Sequence, residues 1–123
     1  MCGTGAAPHI GHVYTAVLAD AAARFQRLIG GGDAGRPVVF STGTDEHGLK
    51  IQQAAEAAGR TPADHCRLVS DLFRQTLHSC QVRPTDFIRT TEQRHLDAVR
   101  DFWVRPFFFS FLEISLGLFS WLS

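Results

Sequence analysis

The chain has 123 residues, room for one modest domain, and its twelve Lys and Arg balance its twelve Asp and Glu to a formal net charge of zero. That balance excludes a strongly basic nucleic-acid arm or an acidic solvating tail as the main business of the protein. At 45% hydrophobic and 20% charged residues, the composition belongs to a folded globule and not to a disordered chain.

From Gly11 to Gly30 the positions Tyr14, Val17, Leu18, Ala21, Phe25, Leu28 and Ile29 recur every three or four residues, which predicts an amphipathic helix stopped by Gly30-Gly31-Gly32. Pro37 to Ser41 is expected as a short buried strand, with turns at Asp33-Ala34-Gly35 before it and Thr42-Gly43-Thr44 after it. A second helix is expected from Leu49 to Ala58, ending at Gly59. Thr61 is placed to cap a third helix with Pro62 at its first position, and Cys66, Val69, Phe73, Leu77 and Cys80 form one buried stripe along it. Phe87-Ile88 suggests another strand, and Thr90-Thr91-Glu92-Gln93 opens a fourth helix carrying Leu96, Val99 and Trp103. Strands separated by helices imply an α/β fold with a parallel sheet and crossover connections. Two strands do not make a free-standing sheet, so part of it is expected to be missing.

The three cysteines, Cys2, Cys66 and Cys80, are odd in number and far apart, which argues against a disulfide framework and for a reducing compartment. Residues Met1 to Ala7 carry neither a basic n-region nor an apolar h-region, so no signal or transit peptide is expected in them.

Two segments carry chemistry. Pro8-His9-Ile10-Gly11-His12 precedes the first helix, where unpaired backbone N–H groups and the positive end of the helix dipole attract phosphate. Gly11 lets a nucleotide approach the backbone, and His9 and His12, three apart, can present both imidazoles to phosphoryl oxygens as negative charge develops. The same letters also fit two surface histidines at a helix cap. A metal site fits less well, because His65, His78 and His95 are scattered without ligand spacing. The second segment, Thr42-Gly43-Thr44-Asp45-Glu46-His47-Gly48, follows a strand and precedes a helix, where ligands of open parallel sheets bind. Asp45 suits a substrate ammonium, with Glu46, His47 and Gly48 fixing its loop; equally, Asp45 suits an N-cap.

Together, Ala7-Pro8-His9-Ile10-Gly11-His12 and Ser41 to Ile51 resemble the methionyl-tRNA synthetases, as does Asp86-Phe87-Ile88-Arg89-Thr90-Thr91-Glu92 with Arg94-His95. The first segment is the class I synthetase signature, and the run Gly43 to Gly48 points to methionine. The resemblance extends over about residues 6 to 102. It implies an incomplete Rossmann-like parallel sheet with flanking helices, the N-terminal part of a class I catalytic domain. It also implies ATP-dependent activation of methionine and transfer to tRNA. On it, Pro8, His9, Gly11 and His12 are ATP-binding, His9 and His12 are catalytic, Asp45 holds the methionine ammonium, and Mg2+ accompanies ATP. No zinc site is expected in this chain. A mitochondrial (matrix) or bacterial-like branch is implied, with the cytoplasm as the alternative location.

Some family features are not met. Met1 to Gly5 is too short and small to supply the strand that precedes the first signature, so that strand is expected to be lost or replaced. No Lys follows Lys50, so the lysines of the second signature loop, and with them half of the ATP clamp, are absent. The tRNA-binding parts are not expected in these residues, and the chain alone is expected to bind ATP weakly and catalyse little. The domain reading is a partial catalytic domain over 1–103 and an unrelated hydrophobic tail over 104–123. The tail segment Phe107 to Ser123 has Glu113 as its one charge. A membrane anchor is opposed by Pro106, Glu113 and Gly117, so no specific membrane partner is expected and a spliced or frame-shifted terminus is preferred. The alternatives are a non-catalytic or unstable splice product, or another class I nucleotidyltransferase.

Overall fold

The computed structural model describes residues 2–3, 7–30 and 37–105. The chain divides into two compact units, Met1–Thr90 and Thr91–Ser123. The first holds strand β1 (Cys2–Gly3), helix α1 (Ile10–Ile29), strand β2 (Ser41–Asp45), helices α2 (Leu49–Ala57) and α3 (Pro62–Ser79), and strand β3 (Asp86–Arg89). The sheet order is β1-β2-β3 and both pairings are parallel. Each strand is followed by helix before the next, as parallel neighbours require. In the second unit, residues 93–105 are helical.

The sheet differs from expectation at both ends. The strand expected at Pro37–Ser41 begins instead at Ser41, because its partner β3 starts opposite that residue, with Ser41 paired to Asp86. Thr42-Gly43-Thr44, expected as a turn, is the middle of β2. Gly43 is there for closeness, since a Cβ on it would lie 1.9 Å from the carbonyl oxygen of Ile88. In place of the strand expected to be lost or replaced stand two residues: Cys2 pairs with Thr44 and Gly3 with Asp45. Ladder pairing needs backbone groups and not bulky side chains, so small residues suffice.

The core cluster is Ala23, Phe40, Leu77 and Val82, with Ala16, Val38 and Phe87 packed against it. On α3 the stripe Cys66, Val69, Phe73 and Leu77 is buried as expected. Cys80 is not buried with it: helix α3 ends at Ser79 and the chain reverses at Gln81, whose φ is 57°. The cap is as expected, with Thr61 Oγ1 accepting from the Asp64 N–H at 3.2 Å and Pro62 opening the helix.

Helix α1 is found where the spacing predicts it. The expected apolar stripe is exposed, including Tyr14 at 63%, Phe25 at 58% and Leu28 at 80%, and the buried residues are Asp20 and Ala23. The small residues Ala16 and Ala23 bring this face of the helix close to the core. Asp20 is tolerated there because Arg24 Nε donates to its carboxylate at 2.6 Å and the Arg83 N–H at 3.2 Å. Burial by itself raises the Asp20 pKa, but these two donors together with the charges of Arg24 and Arg27 hold the group below its ordinary value.

The fourth helix starts at residue 93, with the N–H groups of His95 and Leu96 donating to the Glu92 carbonyl. Thr90 does not cap it, having been recruited elsewhere. The tail from residue 106 onward lies outside the described residues, and among those described no helix is long and apolar enough to cross a membrane.

Candidate active site at the strand ends

Helix α1 begins with a pair of histidines that cap it. His9, the N-cap residue, sits in extended backbone at φ −133° and accepts the Gly11 N–H on Nδ1 at 3.1 Å. His12 reaches back and accepts the His9 N–H on its own Nδ1 at 3.2 Å. The two rings stack with centroids 3.8 Å apart and 28° between planes, and the edge of His12 meets Phe73 at 5.0 Å. A nitrogen that accepts carries no proton, so each neutral ring bears its hydrogen on Nε2. Desolvation and the neighbouring His9 both lower the His12 pKa, which favours this neutral form. No acidic residue lies in the first turn of α1, so nothing there offsets the positive end of the helix.

Gly11 serves this arrangement directly. A Cβ at that position would meet Cε1 and Nδ1 of the His9 ring at 3.0 and 3.1 Å. The glycine thus makes room for the imidazole as well as for any approaching ligand.

The second segment is built around the end of β2. Asp45 is its last residue, and Asp45 Oδ1 accepts the His47 N–H at 3.3 Å. Glu46 turns inward: its side chain is fully buried and takes two hydrogen bonds from Arg89, at 2.7 and 3.0 Å, and one from Thr44 Oγ1 at 3.1 Å. Thr44 Oγ1 lies also 3.2 Å from Ser70 Oγ on α3. A buried carboxylate is stable only when so compensated, and donating these hydrogen bonds to Glu46 raises the Arg89 pKa above its ordinary value. Gly48, at φ 113°, starts α2 in a conformation that favours glycine, with no side-chain cap. Asp45 therefore does not serve as the N-cap of α2.

The sheet brings the two segments to one edge. Gly3, the last residue of β1, pairs with Asp45, the last residue of β2, so the two strands end side by side. Pro8, His12 and Val13 line one small hollow together with Thr42, Gly43 and Phe73. His9 does not line it. Glu46, His47 and Asp45 gather instead around Arg89 and Thr90, which composition and spacing left unassigned. The available signal was position: both follow the Phe87-Ile88 strand, where polar groups of a parallel sheet collect. Among the described residues no group of three metal-ligating side chains occurs.

Residues 4–106 match the family model for class I tRNA synthetases (M). The chain is 57% identical over 98 residues to the mitochondrial methionine–tRNA ligase of Homo sapiens, covering 80% of this chain and 16% of that protein. It is 47% identical over 98 residues to the methionine–tRNA ligase of Rhizobium meliloti, covering 80% of this chain and 18% of that one. The crystal structure of Mycobacterium tuberculosis methionyl-tRNA synthetase bound by methionyl-adenylate superposes with a TM-score of 0.77 at 44% identity, covering 85% of this chain and 20% of that one. The chain thus spans about a sixth of the length of the mitochondrial relatives it matches. With the family model spanning most of its length and the signature histidines standing at a helix start beside the sheet's carboxyl edge, the chain belongs to the class I methionyl-tRNA synthetase family.

Proposed function

We propose that this chain carries the ATP- and methionine-facing segments of a methionine–tRNA ligase. The methionine carboxylate attacks the α-phosphorus of ATP, the bond to the pyrophosphate oxygen breaks, and methionyl-adenylate and pyrophosphate result. His9 and His12 offer their Nε2–H groups to the phosphoryl oxygens as charge builds, beside Pro8 and Gly11 at the helix start. Asp45 pairs with the substrate ammonium, and Glu46, His47 and Gly48 hold its loop. Mg2+ enters with the triphosphate as part of the substrate. Transfer of the methionyl group to the terminal ribose of tRNA follows in the whole ligase.

One observation carries this reading: both signature imidazoles spend Nδ1 on the helix cap, which leaves Nε2–H on each as the donor. In-line transfer at phosphorus needs charge stabilisation and positioning more than a general base, and neutral donors at a helix N-terminus supply both. The names of the mitochondrial relatives support the mitochondrion as the place of work.

The test is titration of the isotopically labelled chain with MgATP and with methionine, followed by NMR. MgATP is expected to shift the amides of residues 9–13 and methionine those of 45–48. Replacing both histidines by alanine is expected to weaken the MgATP response by ~10-fold or more, the order of one charged hydrogen bond. An undiminished response in that variant overturns the phosphate role, and equal shifts with valine and methionine overturn the methionine assignment.

A further inference from the structure

We propose that Thr90 is the positioning residue for Asp45, its hydroxyl binding the loop after β2 into one orientation for a substrate ammonium. The inference rests on the reading of Asp45 given under Proposed function. Thr90 is 7% exposed, and its N–H donates to the Thr44 carbonyl at 3.2 Å, which carries the β2–β3 ladder one residue past Arg89. Its hydroxyl is therefore borne on a fixed strand end. The preceding residue, Arg89, is itself pinned to buried Glu46 by two hydrogen bonds.

Three groups of the neighbouring loop converge on that hydroxyl. The Glu46 N–H donates to Thr90 Oγ1 at 2.9 Å, His47 Nδ1 lies 3.1 Å away, and Asp45 Oδ1 lies 3.5 Å away. Asp45 Oδ1 also takes the His47 N–H and stands 3.6 Å from His47 Nδ1. A hydroxyl has one proton and two lone pairs. One lone pair takes the Glu46 N–H. When His47 Nδ1 is bare, the hydroxyl proton goes to it; when Nδ1 carries a proton, the ring donates to the second lone pair and the hydroxyl proton turns to Asp45. The loop is held in either case through the Glu46 N–H and the His47 ring, and in the second case the hydroxyl proton and the His47 N–H meet at Asp45 Oδ1, which sets the direction of the carboxylate. No other side chain touches the loop at so many points among the bonds described.

The experiment compares Thr90→Val, which keeps shape and loses the hydroxyl, with Thr90→Ser, which keeps the hydroxyl. Glu46 amide exchange, the ring-nitrogen NMR signals of His47 and methionine affinity are read in each. In the valine variant Glu46 exchange is expected to rise and methionine affinity to fall, each by ~10-fold, with a changed His47 ring signature; serine is expected to stay within about twofold. Unchanged His47 signals and affinity in Thr90→Val overturn the proposal, as does failure of serine to rescue. A chain that binds no methionine before substitution overturns the functional reading, while the ligand-free signals still decide the role of Thr90. Should the valine variant not fold, the unsubstituted chain decides. A slowly exchanging Thr90 hydroxyl proton with a cross-peak to the His47 ring supports the proposal, and its absence overturns it.

Discussion

Arg89 grips the buried carboxylate of Glu46 through Nε at 2.7 Å and a terminal nitrogen at 3.0 Å, joining the end of β3 to the loop after β2 across 43 residues of sequence. Removal of one partner leaves a charge without compensation in the interior. Arg89→Met is expected to cost ~3–5 kcal/mol, read from urea unfolding, and Glu46→Leu combined with Arg89→Met is expected to recover most of that loss. A loss in the double variant equal to the sum of the two single-variant losses would show that the pair is not coupled.

Gly43 faces the Ile88 backbone with no room for a methyl group, since the added Cβ would stand 1.9 Å from a carbonyl oxygen. Backbone on a paired strand does not step aside as a flexible side chain does. Gly43→Ala is expected to lose at least ~3 kcal/mol, the upper range of overpacking. Circular dichroism with urea titration measures it.

The His12 pKa lies below the ordinary value of 6.5, through desolvation and then the nearby His9 ring. The unfolded chain therefore binds the proton more readily, and stability from this group is present above 6.5 and falls as pH drops below it. Protonation at Nδ1 also breaks the bond from the His9 N–H. Protection of the His9 amide, measured as its exchange relative to the intrinsic rate at each pH, is expected to fall between about pH 7.5 and 5.5, and His12→Ala to flatten that dependence.

Asp20 titrates lower down. Its pKa is held below the ordinary 3.8 because the Arg24 and Arg83 donors and the Arg24 and Arg27 charges together outweigh burial, so its contribution is present above 3.8 and is lost as pH falls through the folded value. Asp20→Asn is expected to reduce stability at pH 7 and to weaken its decline on acidification below about pH 4, followed by thermal unfolding across pH.

His65 on α3 has both ring nitrogens buried without a hydrogen-bond partner. An unpaired buried polar group costs free energy, and leucine fills a similar volume while favouring helix. His65→Leu is expected to gain ~1–3 kcal/mol, visible as a higher urea midpoint. A lower midpoint would show that the ring is satisfied in solution.

How much was legible follows from how local each signal is. The Thr61–Pro62 cap, the Cys66 to Leu77 stripe and the glycine stop of α1 are written within a few residues of one another, and all are found. The Tyr14–Leu28 positions are exposed, and spacing could not say so, because it reveals that a face is apolar but not what covers it. The start of β2 was set by its partner β3, and the Glu46–Arg89 and Asp45–Thr90 contacts join residues 43 and 45 apart. Such pairs leave no mark in local periodicity. The position of the signature histidines at a helix start was legible, but their mutual capping was not, because histidine is an unusual cap.

The Gly11 contact with the His9 ring has a consequence for variants at that position. The glycine of the signature is held in place by the ligand-free fold before any nucleotide arrives. A side chain at residue 11 would therefore press on the His9 ring and loosen its bond to the residue 11 N–H, so that a change seen in an assay of such a variant reports the cap as well as any contact with nucleotide.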